Sequence, residues 1–352
     1  MAELTARAAA LSPPHAHGAP ATAAEFRATA EDFQVEEDLG FAPAGAGRHV
    51  LLKVRKVNAN TTWVARELAR LALCRPHEVG YAGLKDRRAV AVQWFSVPRP
   101  RTAVDLAAVV SAEFRVLEAH AHNRKLPRGA LAGNRFRIRL RPASGSGAAL
   151  AGALAARLET IRVKGVPNYF GPQRFGRDGA NLERLETDVS ALHPAERGFV
   201  LSAARSVVFN AVLAERVTQG SWEMLQGGDL AALDGRGSFF AVPVLDEVLA
   251  GRAARLEIHP TGPMWGQGEP ATQADVAALE SGVAARYTRA CAVCAGAGMR
   301  QERRSLRLAV QELSLAEEPD ALLVSFRLAR GAFATAVLRE LLAASQELPE
   351  SA

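Results

Sequence analysis

From Phe136 to Arg141 the chain alternates without a break, with Phe136, Ile138 and Leu140 in one phase and Arg137, Arg139 and Arg141 in the other. Successive side chains point to opposite faces in a β-strand, so this segment predicts a strand with one apolar face against a core. The arginine face is costly to bury and lies either in water or against phosphate; the alternation leaves both open. Alternation returns beyond about Arg304, in "SLRLAVQELSLA" and "DALLVSFRLARG", and "HVLLKVRKV" reads as a further strand. "FRATAEDFQVEEDL", apolar and acidic in near alternation, predicts a strand with an exposed edge. "NANTTWVARELARLALC" predicts a helix, capped by Asn and Thr, with Trp63, Val64, Leu68, Leu71 and Ala72 on one face and Pro76 beyond its end. "AFATAVLRELLAA" predicts another.

The middle of the chain has a different texture. "LSAARSVVFNAVLAERV" and "ATQADVAALESGVAARY" are helical in pattern and are separated by glycine-rich loops around Gly227, Gly228 and Gly262. Two ends alike and a middle unlike them predict an α+β domain interrupted by a mainly helical α/β insertion. A length of 352 residues suits about two domains. The formal charge is +6, and only five of the 43 basic residues are lysine. Guanidinium groups pair with phosphate in a bidentate way, so this excess of arginine suits a phosphate-rich partner.

No run of eighteen apolar residues occurs, and no membrane span is expected. Residues 1–24 lack the apolar core of a signal peptide and read as a flexible tail. Three cysteines make no disulfide framework and suggest a reducing, cytoplasmic setting. Cys291 and Cys294 form one CxxC, with no second pair at zinc-ligand spacing, so they are expected to pack on a helix face. Phosphate-loop, dinucleotide-fingerprint, GxSxG and HExxH patterns are all missing, and nothing calls for a triphosphate, a nicotinamide or a metal.

What remains is "VGYAGLKDRRAVAVQWFSV", residues 79–97, where two apolar runs flank Asp86 with Lys85, Arg87 and Arg88. Nearby cations favour the charged form of a carboxylate. A charged carboxylate beside aromatic residues can act as a nucleophile or base, or can be an ion pair at a strand end. Aromatic residues recur beside Gly, Asn and Arg in "EDF" at Phe33, in "GNRF" at Asn134 and Phe136, in "NYFGPQRFG" at 168–176 and in "GAF" at Phe333. An extruded base is held by stacking and by hydrogen bonds to its edge. Asn134 offers both a donor and an acceptor, the complement of a uracil edge. An enzyme, an RNA-binding protein with an idle acid, and a nucleoside hydrolase all fit these features.

"GYAGLKDRRAVAVQWFSV" resembles the catalytic segment of the TruD family of tRNA pseudouridine synthases, and "VKGVPNYFGPQRFG" resembles that family's signature. "RKLPRGALAGNRF", "LSAARSVVFN", "GRGSFF" and "GAFATAVLREL" match in the family's order, so the resemblance runs from about Arg27 to Leu342. It implies a pseudouridine-synthase-type catalytic domain on a mainly antiparallel sheet with flanking helices, over 25–157 and 306–346. It also implies an inserted domain over 158–305. The implied activity is isomerisation of uridine to pseudouridine, at uridine 13 of tRNA, without cofactor, metal or obligate protein partner. By resemblance Asp86 is the nucleophile, Asn134 meets the uracil edge, and Phe33 and Phe333 contact the base. Arg27 is the implied partner of the carboxylate, while Lys85, Arg87 and Arg174 are candidates for its field or for phosphate contacts. Where the family has proline before "EDF", this chain has Ala30.

Overall fold

The computed structural model describes residues 11–100, 104–142 and 145–343, which form two compact units. One unit takes Ala21–Ala156, Val310–Gly331 and residues 342–343; the other takes residues 11–20, Arg157–Ala309 and Ala332–Leu341. The first ten residues of the expected tail, and residues 344–346 of the expected catalytic domain, lie outside the described residues.

The first unit is built on a nine-stranded sheet. Its main path runs Gln311–Glu318, Ala321–Ala329, Gly133–Pro142, Phe33–Asp38, Val90–Pro98, His49–Val57, Phe114–His122. Every pairing is antiparallel except Phe33–Asp38 with Val90–Pro98. The alternating strand lies inside this sheet. Phe136 sits opposite Val35 and Phe326, and Ile138 opposite Phe33 and Val324, so one apolar face is continuous across three strands. Phe136 stacks on Phe326 with ring centroids 5.3 Å apart. On the face of the neighbouring strands, helix Thr61–Leu71 packs Val64, Ala65 and Leu68 in one cluster with Leu52, Val54, Phe95 and Val97.

Two expectations are corrected here. Phe33–Asp38 is an interior strand rather than an edge, because partners flank it on both sides. Two of the three arginines of the comb are paired within the protein, Arg139 with Glu318 and Asp32 and Arg141 with Asp32 and Asp320, and Arg135 in the same phase pairs with Glu312. Carboxylates from the adjacent hairpin and from the Ala30–Asp32 turn meet these guanidinium groups. Arg137 stays exposed.

The second unit centres on the 25-residue helix Pro194–Thr218. That helix is long and apolar enough by length and composition to cross a membrane. Its Val200, Val207, Val208, Phe209 and Leu213 are instead buried in a core with Tyr169, Phe170 and Phe175. Four short strands, Phe239–Val242, Asp229–Leu233, Ile258–Met264 and Glu302–Ser305, form a sheet beside it. An α/β insertion implies some strands here, but their positions do not show as alternation, since Pro260, Gly262 and Pro263 interrupt the longest of them.

The segment read as a flexible tail is held from residue 11 onward. Leu11 and Ala16 pack on the core, Arg157 donates to the carbonyls of Gly18 and Ala19, and Arg339 donates to those of Pro13 and Pro14. Fully buried Glu340 supplies the reason: it accepts from the His17 amide and from Arg339, so the segment meets a buried carboxylate.

Candidate active site

Asp86 lies on the loop between strands Gly80–Tyr81 and Val90–Pro98. One edge of Val90–Pro98 pairs throughout with His49–Val57; its other edge is shared. Residues 90–92 pair with Phe33–Asp38, while residues 95 and 96 pair with Gly80–Tyr81. Between the two pairings the sheet parts, and the Asp86 loop leaves from this gap. Gly80 is required at its start: a Cβ there would stand 2.4 Å from the Leu126 carbonyl oxygen and 2.5 Å from Ser96 Oγ.

Side chains replace the missing ladder. Glu37 Oε2 accepts the Trp94 amide at 2.9 Å, and Gln93 Nε2 donates to the Gly83 carbonyl at 2.6 Å. Thr61 Oγ1 accepts the Lys85 amide at 3.0 Å and donates to Gln93 Oε1 at 3.0 Å. Thr61 was expected to help cap its helix; its hydroxyl anchors the loop instead. Lys85 turns inward, its ammonium 2.6 Å from Glu37 Oε1 and only 9% exposed. Lys56 Nζ donates to the main-chain carbonyls of Asp86 at 2.9 Å and Ala59 at 2.7 Å.

The Asp86 carboxylate itself is 54% exposed and meets Arg27 Nη2 at 2.7 Å. Arg27 has φ 94°, a left-handed conformation that costs a non-glycine residue about 1–3 kcal/mol. Its guanidinium lies 4.1 Å from the centroid of the Phe33 ring. Phe33 is therefore buried beneath Arg27, edge-on to Phe136 at 6.2 Å. The Ala30–Asp32 turn that precedes Phe33 has no proline; the Thr29 amide closes it by donating to Asp32 Oδ2 at 2.9 Å. Asn134 sits opposite Glu37 on the neighbouring strand, buried, with its Oδ1 making no hydrogen bond among the described residues. Arg87 is exposed.

Sequence reasoning missed Lys56, Glu37 and Gln93. Each is a buried polar residue in an apolar phase: Lys56 with Leu52 and Val54, Glu37 with Phe33 and Val35, Gln93 with Ala91 and Phe95. That break in phase is the signal that was available. Burial pushes the Lys56 ammonium down to about 8; the charge of Lys85 acts the same way, and those of Asp86 and Glu37 oppose it.

Phe333 and Arg174 belong to the other unit. Arg174 donates to Ser202 Oγ at 2.8 Å, and its guanidinium lies 5.0 Å from the Phe170 ring and 5.8 Å from that of Phe333. Phe333 is 37% exposed, whereas Tyr169, Phe170 and Phe175 are core residues of that unit. Cys291 and Cys294 share helix Thr288–Gly296; burial pushes their thiols up to about 12 and about 11, which removes thiolate character. Among the described residues no group of three or more His, Cys, Asp or Glu side chains is placed to hold a metal ion.

The family model for tRNA pseudouridine synthase D (TruD) matches residues 14–185 and 179–341. A protein named tRNA pseudouridine synthase D from Nitrosococcus oceani is 46% identical over 329 residues, covering 91% of each chain. One of the same name from Pseudomonas aeruginosa is 46% identical over 335 residues, covering 94% of this chain and 93% of its own. A crystal structure from Methanosarcina mazei bearing the family's name superposes with a TM-score of 0.71 at 18% identity, over 94% of this chain and 96% of that one. The fold is thus shared with that crystal structure and the sequence with the two proteins of that name, and the chain belongs to the tRNA pseudouridine synthase D (TruD) family.

Proposed function

We propose that the protein isomerises uridine 13 of tRNA to pseudouridine, with Asp86 as nucleophile and with no cofactor. The reaction breaks the bond from ribose C1′ to uracil N1 and joins C1′ to C5. The proton on C5 is lost and N1 gains one, so atoms balance and no net oxidation occurs. Such a reaction needs a carboxylate that can reach the nucleotide and a pocket that keeps the detached base in place. It needs no redox group.

The observation that carries this reading is the Asp86 carboxylate: half-exposed and paired with Arg27, on a loop whose main chain is tied down by buried side chains. A carboxylate serving only as a structural ion pair would not require that degree of anchoring. Asn134, with an unmatched buried amide oxygen, is assigned to the uracil edge. Arg27 and Phe33 are assigned to the wall around the carboxylate, and Phe333, Arg174 and Arg87 to contacts with the RNA. Uridine 13 comes from the resemblance, since no spacing or charge reads that position.

The test is Asp86→Asn, assayed with unmodified tRNA by mapping pseudouridine. Turnover is expected to disappear while tRNA affinity stays within about tenfold, because affinity rests on many phosphate contacts. Full activity in that variant, or modification at a uridine other than 13, would overturn the corresponding part of the proposal.

A further inference from the structure

We propose that Lys56 is a positioning residue that holds the main chain of Asp86, and with it the reactive carboxylate, from inside the core. This deepens the reading of Asp86 as nucleophile and rests on it.

Packing gives no reason for a lysine at this place. Lys56 lies near the end of strand His49–Val57 with none of its surface exposed, in the phase of Leu52 and Val54. A methionine would fill the same space without the cost of burying an ammonium. What the ammonium does is bond two carbonyls that no backbone ladder reaches, those of Asp86 and Ala59. Ala59 leads into helix Thr61–Leu71, so Lys56 ties the Asp86 loop to the start of that helix. Gln93 and Thr61 hold Gly83 and Lys85, and Lys56 takes the peptide of Asp86 itself. The Arg27 bond then holds the carboxylate itself.

The charged groups that face Lys56 are Asp86 and Lys85 on the loop and Glu37 on strand Phe33–Asp38. The Val90–Pro98 strand beside it carries no charged residue. Two carboxylates and one ammonium leave the Lys56 charge favourably placed, against the burial that opposes it. Loss of its proton as pH rises through about 8 removes charge assistance from both hydrogen bonds and frees the loop.

The test is the single-turnover rate at saturating tRNA, from neutral to alkaline pH, for the intact protein and for Lys56→Met, Lys56→Arg and Asp86→Asn. A carboxylate displaced by about 1 Å slows a reaction by roughly 100-fold. Lys56→Met is therefore expected to slow turnover by about 10- to 100-fold, with tRNA affinity within about threefold. The intact protein should lose rate above about pH 8, and Lys56→Met should not show that fall. Lys56→Arg keeps the charge at alkaline pH; it should retain more rate than Lys56→Met and should lack the fall. Lys56→Met turning over at the normal rate, or losing tRNA affinity at unchanged rate, overturns the proposal. Should Lys56→Met not fold, the intact protein decides: a rate that stays flat through pH 8 overturns it, and a fall that Lys56→Arg removes supports it. Inactive Asp86→Asn beside unaffected Lys56→Met rejects this inference alone, whereas active Asp86→Asn rejects the reading beneath it.

Discussion

Asn134, assigned above to the uracil edge as a proposal, illustrates how a single side chain can be expensive to the fold. Its amide is buried and Oδ1 makes no hydrogen bond, so the folded protein carries a desolvation cost of about 1–3 kcal/mol there. Replacing it with alanine removes that orphaned acceptor along with the side chain. Asn134→Ala is accordingly expected to melt within a few degrees of the unmodified protein while turnover falls by about tenfold or more. Thermal melts set beside single-turnover rates check this. A collapsed transition would make Asn134 a structural residue. Around it, Phe33 and Phe136 are buried: Arg27 covers the first, and Phe326 stacks on the second, on the core face that the alternation predicts for Phe136. Lys85 likewise spends its charge on Glu37, which leaves Arg87 as the exposed cation next to Asp86.

At the scale of elements, the parting of the sheet beside Val90–Pro98 creates the place for the Asp86 loop, and Glu37 is the side chain that keeps the parting orderly. Its two oxygens serve the Trp94 amide and the Lys85 ammonium, and it has no exposed surface. Removing one partner of a buried ion pair strands the other, at a cost of about 3–5 kcal/mol. Glu37→Ala is expected to destabilise by that amount in urea titration, and Glu37→Ala with Lys85→Ala by less than the two single changes summed. Strict additivity would mean the pair is not coupled. The arginine comb shows the opposite economy. Arg139 and Arg141 converge on Asp32, whose carboxyl burial would raise; hydrogen bonds from Arg141, the Thr29 amide and Arg139 outweigh that and hold it below its ordinary value. This strand face is a stabilising lattice, and its regular spacing is what made it resemble a phosphate platform.

Across the whole molecule, each compact unit is assembled from separate stretches of chain. The helical unit recruits residues 11–20 and helix Ala334–Leu341. Both converge on buried Glu340, which Arg339 and the His17 amide satisfy, while Arg157 binds the Glu340 carbonyl. A fragment limited to residues 157–309 would expose the core surface that these stretches cover. It is expected to melt well below the intact protein and to lose near-ultraviolet dichroism, whereas a form carrying residues 11–20 and 332–341 as well should recover both. A fragment as stable as the whole would show those stretches to be dispensable.

The main strands at either end, the helices, the α+β class and the segment carrying Asp86 were legible in the sequence, because alternation and helical periodicity are local consequences of burying one face. The family motifs singled out Asp86, Arg27 and Asn134, and the fold supplied the Arg27–Asp86 bond itself. Lys56, Glu37 and Gln93 emerged only from the tertiary structure. A polar residue in an apolar phase shows that something buried must satisfy it, but its partner lies 30, 48 and 10 residues away in the chain. The same holds for the arginine comb and the N-terminal segment. Periodicity gives the face a side chain takes, and only the packed strands decide whether that face meets water, a carboxylate or the loop that carries Asp86.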